Sequence, residues 1–195
     1  MSRRGWMVAG MTVLVLGGVV TFAQGAWIQA KAWLAQHLLE QAWVDTRSDG
    51  AAHKAWPWAD HWPVARLRVA RAGVDLIVLS GDAGNSLAFA PGHAPRSGLP
   101  GDGRTVVLSG HRDTHFRFLR ELAPGMPLSL ESARGAVDYR VRELRIVDSR
   151  TTSIDVDAPG ERLLLVTCYP FDALVPGGPL RYVVVADPEP AEMLM

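Results

Sequence analysis

The stretch "LLLVTCYPF" (163–171) holds the only cysteine among 195 residues, at the end of an apolar run. Four to eight apolar residues bounded by turn formers read as a strand buried in a sheet, and Pro170 cannot continue the ladder. Cys168 therefore stands where a buried strand gives way to a loop. A lone thiol there is either a small core side chain or a reactive group, and position alone leaves both open.

The same texture extends outward from this strand. "ARLRVA" (65–70) alternates Ala65, Leu67 and Val69 with Arg66, Arg68 and Ala70, which suits a strand with one wet face. "VDLIVLSG" (74–81), "RTVVLSG" (104–110), "MPLSL" (126–130), "DYRVRELRIVD" (138–148) and "LRYVVVA" (180–186) repeat the pattern between Gly and Pro breaks. So many short strands predict an all-β sandwich or barrel. In the longest run the apolar phase shifts from Tyr139 and Val141 to Leu144 and Ile146, which predicts a bulge near Glu143. "HFRFLREL" (115–122) predicts about two helical turns stopped by Pro124 and Gly125.

The N-terminal part differs. From Gly5 to Ala30 no side chain is ionisable, and "WMVAGMTVLVLGGVVTFA" (6–23) matches the ~20 apolar residues that span a bilayer as a helix. Arg3 and Arg4 precede it, so the positive-inside rule leaves the N-terminus in the cytoplasm and the β domain outside. "AQG" (23–25) has the form of a signal-peptidase site, but the run is longer than the usual ~7–15 residues of a signal peptide, which favours an uncleaved anchor. "AWIQAKAWLAQHLLEQAWV" (26–44) carries apolar residues near helical spacing, and "SDGAAHKAWPWADHWP" (48–63) reads as a linker broken by Pro57 and Pro63. Twenty basic and twenty acidic residues balance to zero net charge with no basic cluster, which argues against nucleic acid as a partner.

Three strand ends carry side chains with chemistry: "VVLSGHRDTHF" (106–116), "LLLVTCYPF" and "GGPLRYVVV" (177–185). A free thiol with pKa near 8.5 is roughly 3 % thiolate at neutral pH. A histidine beside it can take its proton and later return one to a leaving amine, so a Cys168 and His111 pair suits acyl transfer through a thioester. Arg181, permanently charged and rich in donors, suits a developing oxyanion. Taken singly, each has an ordinary structural reading: a core thiol, a solvated imidazole, the wet face of a strand. A competing set, His111, Asp113 and His115 with His93 nearby in sequence, has the residue types of a metal site but not the helical H-E-x-x-H spacing.

"VVLSGHRDTHFRFLREL", "LLLVTCYPF" and "PLRYVVV", in that order, resemble the sortases, membrane-anchored cysteine transpeptidases built on an eight-stranded β-barrel. The resemblance covers about residues 59–187, and the wording "TCYPFDALVPGGPLRYVVV" is most similar to sortases of Gram-negative proteobacteria. It implies that Cys168 is the nucleophile, His111 the acid and base, and Arg181 the oxyanion-stabilising residue. Thr167, Asp113 and His115 become candidates for substrate contact, and no metal or cofactor is expected. Leu164 stands where the family commonly has threonine, and His115 where similar sequences commonly have an aromatic.

The resemblance also implies a substrate protein with a C-terminal Leu-Pro-x-Thr-Gly-like sorting signal and an amine acceptor of unknown identity. It implies single-pass placement in the inner membrane with the catalytic domain in the periplasm. The expected division is an anchor over 1–25, a juxtamembrane helix and linker over 26–58, a closed eight-stranded barrel over 59–188 and a tail over 189–195. Two other functions share these residues: a cysteine peptidase that releases its partner by hydrolysis, and a noncatalytic tethered barrel that binds a partner's tail.

Overall fold

A computed structural model of the protein describes residues 3–175 and 177–190, so most of the expected tail lies outside the described residues. The chain divides into two compact units at Leu38 and Leu39.

The first unit is the leading part of α1 (Arg3–Asp49), a helix that continues without interruption past the expected anchor boundary. From Gly5 onward it is long and apolar enough to cross a membrane. Its large side chains, among them Trp6, Leu14, Phe22 and Trp27, are exposed, as lipid-facing residues would be. Thr21 shares its hydroxyl with the carbonyls of Gly17 and Gly18, so this polar group is satisfied within the helix. Toward the end of the apolar stretch Lys31 lies 5.7 Å from the centroid of Trp27, and Trp33 stacks on His37.

The second unit is a closed β-barrel with the last turns of α1 packed on it. Gly50, at φ 73°, ends α1, and its N–H bonds back to Thr46 O at 2.8 Å in the left-handed cap that glycine adopts without strain. The strands are β1 (Pro63–Val69), β2 (Val74–Ser80), β3 (Gly92–His93), β4 (Thr105–Ser109), β5 (Pro127–Ser132), β6 (Gly135–Asp148), β7 (Arg162–Cys168) and β8 (Leu180–Pro188). They close in the order β1-β2-β3-β4-β7-β8-β6-β5, as the eight-stranded expectation requires. All neighbours are antiparallel except β2 with β3 and β4 with β7.

Inward-facing residues of the alternating runs meet in one core. Leu67, Val106, Leu108, Leu130, Tyr139, Leu163, Leu165 and Val184 are fully enclosed. Each such side chain contributes about 1.5–3 kcal/mol by leaving water. The bulge falls where the phase shift predicts it, between Val141 and Glu143 in the pairing of β6 with β8. The predicted two turns near 115–122 are instead a short 3-10 helix, Arg117–Glu121, whose Phe118 and Leu119 still face the core together with Leu122. Two elements have no sequence signal: the one-turn α2 (Gly84–Leu87) and the two-residue β3. At Gly92 of β3 a Cβ would lie 2.2 Å from Gly81 O, so only glycine permits that close approach of backbones.

The end of α1 is held by packing and charge. Leu39 and Trp43 pack with Ile77, Leu79 and Ala90. Glu40 meets Arg66 at 2.9 Å, and Arg47 reaches the buried Glu131 at 2.8 Å, which also binds Arg68. Beside this cluster His61 is 4 % exposed, edge-on to Trp56 and 5.6 Å from the ring of Phe89, with neither ring nitrogen hydrogen-bonded among the described residues. Burial pushes its pKa below the ordinary value; nearby Asp60 acts the other way, and Lys54 adds to the depression.

A histidine with a depressed folded pKa stabilises the fold fully above its unfolded value of about 6.5, and that contribution is lost as pH falls from there through the folded value. Urea unfolding should therefore show stability declining below about pH 6.5, and His61→Phe should flatten that decline. An identical pH profile in the variant would rule out His61 as its source.

Candidate active site

The parallel pairing of β4 with β7 brings two distant segments to one end of the barrel. Thr105 pairs with Arg162 and Ser109 with Val166; continuing the same offset by two residues puts His111 level with Cys168. On the other side of β7, Cys168 is the direct antiparallel partner of Arg181. Neighbouring strands lie about 4.8 Å apart, so the three residues form a row across β4, β7 and β8 with the thiol in the middle.

Alternation along β7 decides what each side chain faces. Leu163, Leu165 and Thr167 point into the barrel, whereas Arg162, Leu164, Val166 and Cys168 take the outer phase and are partly exposed. Cys168 is therefore a free, half-buried thiol on the outer face rather than a core side chain. Thr167, expected as a substrate contact, is instead enclosed, and its hydroxyl donates to Gly110 O at 2.7 Å. Together with the bond from Gly110 N–H to Val166 O, it clamps the residue before His111 to the residue before Cys168.

The turn after His111 is equally constrained. Phe116 N–H donates to His111 O at 3.0 Å, and the fully buried Phe116 ring lies against Gly110, where a Cβ would come within 2.7 Å of it. His111 itself is exposed. His115 is half-buried, and burial, with a smaller contribution from the nearby His111, pushes its pKa below the ordinary histidine value. Asp113 is exposed in the same turn.

Arg112 was not singled out by sequence reasoning. Its guanidinium donates to Ala173 O at 2.8 Å, linking the segment after His111 to the loop after Cys168. Nothing in "HRD" signals that contact, since it depends on a loop remote in sequence.

Arg181 uses Nη1 on Gly178 O and Leu180 O, at 2.6 and 2.9 Å. Asp148, across the ladder from Leu180, has its pKa lowered to about 2, chiefly by hydrogen bonds from the Arg150 side chain and backbone, with Arg181 a lesser contributor. Tyr182 pairs with Thr167 and shares its inward phase; its ring stacks on Tyr169 at 6.1 Å and meets Phe171 edge-on at 5.1 Å, and Tyr182 and Phe171 pack against the barrel core beneath the rim.

The alternative metal set does not assemble. His93 is buried in β3, its Nε2 2.8 Å from Gly98 O and 3.1 Å from Ser97 Oγ, which anchors the segment leading into β4. Among the described residues no three His, Cys, Asp or Glu side chains come together as a ligand set.

Two substitutions test how these contacts place His111. Gly110→Ala must displace Phe116 or the strand end, an overpacking that costs about 1–3 kcal/mol, and is expected to lower turnover more than tenfold at a temperature where the fold persists. Arg112→Ala is expected to reduce kcat/KM several-fold with a small change in melting temperature, and Arg112→Lys to recover part of it. Unaltered kinetics in both would show that these contacts do not position the site.

A family model described as the Sortase domain matches residues 67–189. Sortase D of Bacillus subtilis (strain 168) is 36 % identical over 119 residues, a segment that covers 60 % of each chain. Among solved structures, a Clostridium perfringens sortase D5 transpeptidase superposes with a TM-score of 0.63 at 18 % identity, covering 80 % of this chain and 99 % of that one. Sortase C-1 from Actinomyces oris superposes with a TM-score of 0.58 at 26 % identity, covering 66 % and 75 %. These relatives come from Gram-positive bacteria, and nothing among them supports the expected likeness to sortases of Gram-negative proteobacteria. With its barrel matched by the family model over more than half of its length, the chain belongs to the sortase family.

Proposed function

We propose that the protein is a membrane-anchored cysteine transpeptidase that cleaves a C-terminal Leu-Pro-x-Thr-Gly-like sorting signal of a partner protein and passes the acyl group to an amine. The observation that carries this reading is the row of His111, Cys168 and Arg181 on three adjacent strand ends, with the thiol central and partly exposed.

In this mechanism the Cys168 thiolate attacks the scissile carbonyl carbon, and the carbonyl electron pair moves to oxygen. Arg181, one strand away and with Nε and Nη2 uncommitted among the described residues, stabilises that oxyanion. As the C–N bond breaks, His111 gives its proton to the departing amine, leaving a thioester on Cys168. An acceptor amine then attacks the thioester, His111 takes the proton it sheds, and Cys168 is restored as thiolate. Water in place of the amine turns the same cycle into hydrolysis.

The outer face of β7 offers a place for the peptide. Leu164, Val183, Val185 and Ile154 contribute to a groove of about 220 Å³ between β7, β8 and the segment joining β6 to β7. An extended chain with its carbonyl at Cys168 can lay alternate side chains along that face.

The apolar part of α1 supports a single-pass anchor, with the barrel outside the cytoplasm and its substrate tethered to the same bilayer. Shared tethering raises the effective concentration of both partners. Residues 1–25 are assigned to the anchor, 26–58 to the juxtamembrane helix and linker, and 59–188 to the catalytic barrel. An inner membrane and periplasm as the specific compartment would follow from a proteobacterial origin, which the relatives do not support.

Incubated with a sorting-signal peptide, the full-length protein should form a thioacyl adduct visible by mass spectrometry, and Cys168→Ala should form none. His111→Ala and Arg181→Ala should each lower turnover by about a thousandfold. An added primary amine should yield an amide product. Adduct formation in Cys168→Ala would refute the assignment; acid product alone with every amine would identify a hydrolase. A wild-type thiol inert to alkylation would favour the noncatalytic barrel.

A further inference from the structure

Arg162 opens β7 on the same outer face as Cys168, six residues earlier, opposite Thr105 of β4. Both line the far end of the groove that begins beside Leu164 and Val183. Three arginines border this groove, against the single carboxylate of Asp155. Arg142 and Arg145 are already matched: both bind Glu143, and Arg142 also meets Asp187. The Arg162 side chain, half-buried, makes no ion pair or hydrogen bond among the described residues. A partly desolvated guanidinium without a counter-ion, beside a groove short of negative charge, is complementary to a carboxylate, which it can bind through two parallel hydrogen bonds.

The strand supplies the ruler. At about 3.3 Å per residue, Leu164 lies roughly 13 Å and Arg162 roughly 20 Å from Cys168. A peptide extended along this face with its cleaved bond at Cys168 therefore sets an apolar side chain near Leu164 and a residue about two positions further out at Arg162.

The acyl half of the substrate is the half that belongs in this groove. It must stay bound through both halves of the reaction, whereas the leaving segment has to depart and be replaced by an amine. Binding energy placed on the retained half serves both steps.

We propose that Arg162 forms a carboxylate subsite that selects substrates with an Asp or Glu about six residues before the cleaved bond, upstream of the sorting motif itself. The inference rests on Cys168 being the acylated residue.

The test uses the full-length protein in detergent micelles and peptides that share one sorting motif. They differ only in carrying Asp, Ala or Lys at the fifth, sixth or seventh residue before the cleaved bond, and the readout is the rate constant of thioacyl formation per unit peptide. Asp at one of these positions is expected to react about five- to tenfold faster than Ala, and Lys more slowly. The advantage should shrink in high salt, because the contact is partly exposed. In Arg162→Gln the Asp-to-Ala ratio should fall to about one, and in Arg162→Glu the Lys peptide should become the better substrate.

Efficient thioacyl formation with no charge preference at any of the three positions would overturn the subsite while leaving the transpeptidase reading intact. A preference unchanged in both variants would assign it to another residue. Absence of thioacyl enzyme with every peptide would overturn the underlying reading, and this inference with it.

Discussion

The parallel ladder between β4 and β7 is the constraint on which the site depends. In a barrel where most neighbours run antiparallel, this pair sends two chain segments toward the same rim, so that the residues just past Ser109 and at the end of β7 emerge side by side. Had they been antiparallel, His111 and Cys168 would stand at opposite ends of the barrel. The ladder is locked at the rim by Thr167, whose enclosed hydroxyl holds Gly110 O, and by Gly110 N–H on Val166 O. A threonine that faces inward thus fixes the geometry of the cysteine beside it that faces outward.

Division of labour in the chain follows from that arrangement. The inward faces of the strands supply the apolar core and its stability, and the outward phase of β7 supplies a thiol, a groove and a cation along one line. The loops contribute through contacts to the rim: Phe116 packs on Gly110, Arg112 ties one loop to another, and the rings of Phe171 and Tyr182 pack against the core below it. In the proposed mechanism the groups that meet a reacting carbonyl are mounted on hydrogen-bonded strand ends, where little reorganisation is needed during the reaction. Such mounting explains how a modest set of polar residues can serve chemistry on an otherwise plain barrel.

Much of the architecture was legible in the amino acids because its signals are local. Period-two alternation marked the long strands, and the phase slip between Val141 and Leu144 marked the bulge seen at Val141 and Glu143. The three strand-end motifs marked the candidate residues that the barrel brings to one rim. Where the reading fell short, the deciding contacts were remote. β3 is two residues long and exists because Gly92 can approach Gly81, a meeting no window of sequence contains. The segment at 117–121 has the apolar spacing of a helix, but it tightens into 3-10 geometry with Phe118 and Leu119 in the core.

Composition and order alone established an apolar helix ahead of a β domain, one thiol at a strand end, and a histidine and an arginine at two others. Those facts are covalent or depend on near neighbours, so they survive without knowledge of the fold. Only the tertiary structure decided that Cys168 faces outward between His111 and Arg181, that Thr167 faces inward as a clamp, and that His93 serves as an anchor for the approach to β4. The reason is that pairing direction and register are set by contacts between strands far apart in sequence. A shift of one residue in that register would have exchanged the places of Thr167 and Cys168.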